Sequence, residues 1–175
     1  MRILLADNAD SFTWNLEHLL ALAFHARVEV APYPPASACG FDLLAISPGP
    51  GHPREYPAYG PLLDSGVPVL GICLGMQIIN EHFGGTTDRL PGCVHGRAEA
   101  IDLGDRTLAV ARYHSLHTAA LGQGLEVLAV NADGVVMALA HATRPLAGFQ
   151  FHPESFLTED GEHCLAFAAR RLGLA

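Results

Sequence analysis

The sequence predicts an α/β fold, a mostly parallel central sheet with helices on both faces. Short runs such as Leu43–Ser47 and Val67–Ile72 are almost entirely apolar, as strands buried on both faces must be. Between such runs lie stretches with helical spacing of apolar residues. The segment Gly71-Ile72-Cys73-Leu74-Gly75 joins a strand to a helix through a cysteine with glycines on both sides. That is the thiol version of a nucleophile elbow, a turn that belongs to this class of fold.

The elements follow in order. Arg2–Ala6 reads as a first strand ending at Asp7-Asn8. Ser11–Ala23 carries Phe12, Leu16, Leu19, Leu20 and Ala23 at helical spacing, with Asp10 or Ser11 as its cap. Val28–Ala31 is a second strand, and Pro32–Pro35 takes the chain over the surface. After the strand at Leu43–Ser47 comes the turn Pro48-Gly49-Pro50-Gly51. The strand Val67–Ile72 leads into a helix over Leu74–Phe83, stopped by Gly84-Gly85. Leu108–Tyr113, Leu125–Asn131 and Val135–His141 read as strands, the last pair joined by the hairpin signal Ala132-Asp133-Gly134. An amphipathic helix spans about Gly161 to Leu172. No repeat or linker interrupts this pattern, so residues 1–175 are expected to form one domain.

Composition narrows the function classes. Hydrophobic residues make up 50% of the chain and charged ones only 16%, which fits a well-buried globule rather than a disordered segment. The net charge of -8, without any block of Lys or Arg, argues against nucleic-acid binding. No apolar stretch approaches the length of a membrane span. The first residues do not read as a signal peptide, and Cys39, Cys73, Cys93 and Cys164 are widely spaced, which suggests reduced thiols and a cytoplasmic location. Ten histidines are present, but no His pair has metal-ligand spacing on a helical face, so no metal site is expected.

The chemistry converges on Cys73. A helix beginning at Leu74 directs its free N–H groups and positive dipole end at the sulfur, which favours the thiolate. A lone cysteine is ordinarily a small buried hydrophobe. A second motif reverses that reading here: in Gly148-Phe149-Gln150-Phe151-His152-Pro153-Glu154-Ser155, His152 and Glu154 sit two residues apart, on one face of an extended segment. Alone the pair reads as a strand end with a helix-capping acid. With an elbow cysteine it reads as the base and orienter of a nucleophilic triad. The Pro48–Gly51 turn is by itself only a rigid turn; beside an elbow, the N–H groups of Gly51 and Leu74 would make an oxyanion hole. Gln77, one turn into the helix, can reach a polar substrate or simply face solvent. His114 is taken as a wall or structural residue, because the acid lies beside His152.

These motifs identify a resemblance. Asp7–Asn15, Ser47–Gly51, Gly71–Gly75, Arg112-Tyr113-His114-Ser115-Leu116 and Gly148–Ser155 together resemble the class I, triad-type glutamine amidotransferases over almost the whole chain. Within them the chain is most similar to the chorismate branch, the small subunits of anthranilate synthase and aminodeoxychorismate synthase. The resemblance implies a flavodoxin-like sheet and a glutaminase in which Cys73 attacks the side-chain amide of L-glutamine. It implies that His152 protonates the departing ammonia and then activates water, that Glu154 orients His152, and that Gly49, Gln77, Ser115 and Leu116 hold the glutamine. It further implies transfer of ammonia to a larger chorismate-binding subunit, glutaminase activity that depends on this partner, and no cofactor in this chain. Both tryptophan and folate synthesis fit the same motifs.

The chain departs from the pattern at Met76, where the branch usually has histidine and other amidotransferase branches have methionine. It departs again at Arg97-Ala98-Glu99, which follows His95-Gly96 in place of lysine and small residues, and in a short segment from Ala100 to Val110. An amidotransferase serving another synthase, or a non-catalytic regulatory subunit of the same fold, are the alternatives.

Overall fold

The computed structural model describes residues 1–92 and 96–174, so Cys93 and His95 lie outside the described residues. The elements are β1 (Arg2–Asp7), α1 (Thr13–Ala23), β2 (Arg27–Pro32), β3 (Leu43–Ile46), α2 (Gly60–Leu63), β4 (Val69–Ile72), α3 (Leu74–His82), β5 (Thr86–Arg89), β6 (Arg97–Leu103), β7 (Arg106–Arg112), β8 (Leu116–Ala120), β9 (Leu125–Val130), β10 (Val136–His141), β11 (Leu146–Phe149) and α4 (Gly161–Leu172). A seven-stranded sheet runs in the order β2-β1-β3-β4-β11-β10-β9. Strands β2, β1, β3, β4 and β11 are parallel neighbours, while β10 and β9 run antiparallel at one end. The expected mostly parallel sheet is therefore present. Among the described residues, no helix is long and apolar enough to cross a membrane.

The period of two along each strand divides the core. Ile3, Leu5, Leu43, Ala45, Leu70 and Ile72 point to one face, where they pack with Leu16 and Leu20 of α1 and Leu165 and Ala168 of α4. Leu4, Ala6, Leu44, Ile46 and Val69 point to the other, against Met76 and Ile79 of α3 and Leu62 and Leu63 of α2. A continuous apolar run is what a strand with helices on both faces requires, which is why β1, β3 and β4 were so plain in the sequence.

Some boundaries differ from those expected. Helix α1 begins at Thr13 with Phe12 as N-cap and no side-chain cap, so neither Asp10 nor Ser11 caps it. Instead Asp7 Oδ1 accepts from Ala9 N at 2.9 Å and Thr13 Oγ1 at 2.8 Å, and Asp10 Oδ2 accepts from Phe12 N at 2.7 Å, stabilising the turn before the helix. The apolar strand after β2 was expected, but β5, β6, β8 and β11 carry little sequence signal. β5 and β8 form one small antiparallel sheet and β6 and β7 another. The short segment from Ala100 to Val110 is the turn of that β6–β7 hairpin, closed at Gly104 with Leu103 opposite Arg106. Its inward residues Ile101, Leu103, Leu108 and Val110 are buried on the α4 face of the sheet.

The β4–α3 passage is the tightest point. A Cβ added at Gly71 would lie 2.4 Å from the Gly75 backbone, and one at Gly75 would lie 2.5 Å from the Ile46 carbonyl oxygen. Gly71→Ala is expected to destabilise the fold by about 1–3 kcal/mol through overpacking against a backbone that cannot yield. Gly60→Ala, at a right-handed helical position with nothing within 4 Å, is expected to leave stability unchanged or raise it by up to about 1 kcal/mol. Urea unfolding midpoints of both variants check the contrast.

Candidate active site

Four parallel strands deliver the site residues to one edge of the sheet. β1 ends at Asp7-Asn8, β3 runs into Ser47–Gly51, β4 into Cys73, and β11 into Gln150–His152. The carboxyl edge of a parallel sheet is where such folds place ligands.

Cys73 sits at the apex of the β4–α3 turn with φ 52° and ψ −101°, a left-handed conformation that a cysteine adopts only under constraint. Its N–H donates to Phe149 O at 2.6 Å, tying the apex to β11. Leu74 is the first residue of α3, so its N–H lacks an intrahelical acceptor and the helix dipole points its positive end at the sulfur. The facing wall is the turn after β3. Asn8 holds it: its backbone N–H donates to Ser47 Oγ at 2.9 Å, and its side-chain amide donates to Ser47 O at 2.9 Å. Tyr59 OH donates to Asn8 Oδ1 at 2.6 Å and braces this anchor from below. The turn reaches φ 78° at Gly51.

Gly49, Pro50, Gly51, Cys73, Leu74, Gln77, Tyr113, His114, Ser115 and Leu116 together line a cleft of about 140 Å³. Every residue expected to hold substrate or stabilise an oxyanion is on its wall, brought in from three separate stretches of chain.

His152 and Glu154 stand beside it, deeply buried. The segment is not extended as expected: it is a turn, and within it His152 Nδ1 still lies 2.6 Å from Glu154 Oε1. The turn is pinned to the end of β7. His152 N donates to Ala111 O at 3.0 Å, Thr158 Oγ1 donates to His152 O at 2.6 Å, and Ala111 N donates to Thr158 Oγ1 at 3.0 Å. The imidazole is also flanked by aromatic rings, Phe12 at 5.6 Å and Tyr113 at 5.1 Å between centroids. Burial alone would make this histidine a weaker base. The Cys73 thiol and the Glu154 carboxylate outweigh burial and hold its pKa well above the ordinary value. Nε2 makes no hydrogen bond of good geometry among the described residues, leaving it available beside the sulfur. A charged imidazole held by a buried acid next to a cysteine is the arrangement that turns a thiol into a nucleophile and a ring nitrogen into a proton carrier.

The profile of the family described as "Glutamine amidotransferase class-I" matches residues 4–171. This chain belongs to that family. Among curated relatives, this chain is 42% identical over 183 residues to an aminodeoxychorismate synthase of Streptomyces griseus, covering 95% of this chain and 25% of that protein. It is 41% identical over 188 residues to an anthranilate synthase of Azospirillum brasilense, covering 94% of this chain and 25% of that one. The chain thus spans about a quarter of the length of these two relatives. It is also 39% identical over 183 residues to a pyocyanine-specific anthranilate synthase component 2 of Pseudomonas aeruginosa, covering 94% of this chain and 91% of that one. Among solved structures, a glutamine amidotransferase of Thermotoga maritima shares the fold with a TM-score of 0.74 at 15% identity, over 88% of this chain and 76% of that one.

A buried polar network underlies the cleft. Arg112 Nε donates to His114 Nε2 at 3.0 Å, which makes that nitrogen the acceptor and Nδ1 the donor, and Nδ1–H bonds Leu116 O at 2.9 Å. Arg112 also pairs with Glu99, to which Asn131 Nδ2 donates at 3.2 Å. Glu99 therefore has a structural partner of its own. Desolvation, with the Arg112 charge beside it, pushes the His114 pKa down to about 4, so His114 is a neutral strut and not a base. Met76, the departure within the elbow, is fully buried with its Cγ 2.7 Å from where a Gly148 Cβ would be, so it fills the core and does not face the cleft. Sequence reasoning gave no part in the site to Phe12, which it read only as an apolar helix position, or to Thr158 or Gln150. Phe12 and Gln150 lay inside quoted motifs, and Thr158 carried no signal at all.

Two pH effects follow, of opposite sign. For His114 the folded pKa lies below the unfolded 6.5, so its contribution to stability is complete above pH 6.5 and is lost as pH falls towards 4. For His152 the folded pKa lies above 6.5, so its contribution is complete below pH 6.5 and is lost as pH rises through the raised value. Imidazole ¹⁵N shifts are expected to show His152 charged and His114 neutral at pH 7. In Glu154→Gln the His152 ring is expected to titrate at lower pH.

Proposed function

We propose that this chain, as one domain over residues 1–175, hydrolyses L-glutamine and delivers the ammonia to a chorismate-aminating synthase subunit. The observation that carries the reading is the meeting of a strained, helix-capped Cys73 with the buried His152–Glu154 pair at the mouth of an amino-acid-sized cleft. Cys73 Sγ attacks the side-chain carbonyl carbon of glutamine, and the N–H groups of Gly51 and Leu74 receive the developing oxyanion. The His152 imidazolium gives its proton to the amide nitrogen, and the C–N bond breaks with release of ammonia. Neutral His152 then takes a proton from water, which attacks the thioester and frees glutamate and the thiol. Glu154 fixes the ring tautomer and balances its charge throughout. Gly49, Gln77, Ser115 and Leu116 bind the amino-acid end. The chemistry draws on side chains and water and calls for no cofactor in this chain.

The cytoplasm is the setting proposed. The relatives named for anthranilate and aminodeoxychorismate synthesis support the chorismate partner. So does the surface behind the triad. Trp14 and Phe156 are 68% and 87% exposed and border a groove of about 660 Å³ whose floor includes Pro153, Glu154 and Ser155. Glu159, Asp160 and Glu162 line the same groove, so a synthase surface with an apolar centre and basic rim fits it.

Cys73→Ala is expected to abolish glutamine-dependent amination of chorismate by the assembled complex while ammonia-dependent amination stays intact. Product analysis with each candidate large subunit reads this out, and survival of glutamine-dependent product in the variant would sink the nucleophile assignment. Glu154→Gln is expected to lower kcat by about 10²- to 10⁴-fold, the range of general acid–base assistance. Trp14→Asp with Phe156→Asp is expected to weaken subunit association at least tenfold, measured by titration calorimetry, without altering the cleft.

A further inference from the structure

Gln150 is fully buried beneath the nucleophile and no step of the proposed reaction uses it. Its Nε2 lies 3.5 Å from Cys73 Sγ, within range of an N–H···S hydrogen bond. Which end of a side-chain amide faces a neighbour is decided by the rest of its hydrogen bonds, and here those bonds form a chain with only one consistent direction. The chain starts at the Leu116 carbonyl oxygen, which can only accept. Gln77 approaches that oxygen at 3.1 Å, so the approaching atom is Nε2. The same Gln77 Nε2 lies 2.9 Å from Gln150, so Gln150 presents Oε1 to it. That leaves Gln150 Nε2, a donor, turned to the sulfur. The His114 Nδ1–H bond to Leu116 O fills the second lone pair of that carbonyl and holds it in place.

We propose that Gln150 is a further catalytic residue of this site, an amide donor to the Cys73 thiolate whose orientation is set through Gln77 by the Leu116 carbonyl. The inference deepens the glutaminase reading by adding a resident stabiliser of the attacking sulfur. A hydrogen bond to a charged acceptor favours the ionised state, and Cys73 is buried enough that this donor is little weakened by solvent. The same chain assigns Gln77 a divided part. Its Nε2 hydrogens are committed to Leu116 O and Gln150 Oε1, so it meets the amino-acid ligand with Oε1, an acceptor suited to an ammonium group.

The test follows alkylation of Cys73 by iodoacetamide across pH in the full chain, with mass spectrometry resolving the Cys73 peptide from the other cysteines. Gln150→Met keeps the length and removes the donor. It is expected to move the pH midpoint of Cys73 alkylation up by about 1, an about tenfold smaller thiolate fraction at neutral pH, and in the complex with a synthase subunit to lower kcat about tenfold with little change in KM. Gln77→Glu does not touch the sulfur, but its carboxylate turns the Gln150 amide round, so the midpoint rises there too. In the double variant the effect of Gln77→Glu on the midpoint is expected to shrink to the direct repulsion between the new carboxylate and the thiolate, because no amide remains to be turned.

A Gln150→Met profile that superimposes on the parent, with an unchanged thermal unfolding midpoint, overturns the proposal. A Gln77→Glu shift that persists undiminished in the double variant overturns the orientation through Gln77. If Gln150→Met does not fold, Gln150→Asn, which keeps a polar group in the pocket but falls short of the sulfur, gives the same reading by the same two outcomes. Alkylation needs neither glutamine nor partner, so failure of the relay is separable from failure of the glutaminase assignment, which would show as a parent chain that releases no ammonia with any synthase subunit.

Discussion

The passage from β4 into α3 is the constraint on which the rest of the site depends. Gly71 and Gly75 let the strand and helix close to a separation that no Cβ could occupy, and the chain then has to pass through a left-handed residue at Cys73. The strain has a return in position: the sulfur is lifted to the sheet edge and placed at the start of a helix whose dipole favours its anion. The other parts are arranged around that fixed point. Asn8 and Ser47 set the opposing turn, and the Ala111–Thr158 contacts bring the histidine loop alongside.

The site combines groups of opposite electrostatic character. His152 and His114 are both buried, yet one is held charged and the other neutral. The difference lies in their partners: a carboxylate and a thiol for His152, a guanidinium and a carbonyl for His114. A protein that needs one mobile proton beside a nucleophile has reason to make the second histidine a fixed hydrogen-bonding strut.

Much of this was legible in the chain. Strands β1, β3 and β4 announce themselves because burial on both faces removes polar residues, and the elbow does so because its glycines have no other use at that spacing. Cys73, His152 and Glu154 were recognisable as a group because chemistry restricts which residues can serve. The antiparallel periphery was legible only in part: β7, β9 and β10 were expected, and β5, β6 and β8 were not. β5 reads Thr-Thr-Asp-Arg and pairs with β8 at the surface, where alternation is weak and no apolar run marks it. The geometry of the His–Glu pair was also misplaced, since two-residue spacing suggests a strand but the turn around Pro153 achieves the contact by bending. Gln150 and Thr158 act through hydrogen bonds to residues far along the chain, and single-sequence patterns hold no record of such pairings.

That long reach has a consequence for folding. Cys73 is joined to Gln150 across 77 positions, Asn8 to Tyr59 across 51, and Ala111 to Thr158 across 47. Such contacts close large loops and form late relative to local helices and hairpins. During synthesis the cysteine emerges well before the strand that must lie beside it, and its histidine emerges later still. Reactivity at the sulfur is therefore acquired only when the sheet is complete, and an unfinished chain carries an ordinary thiol.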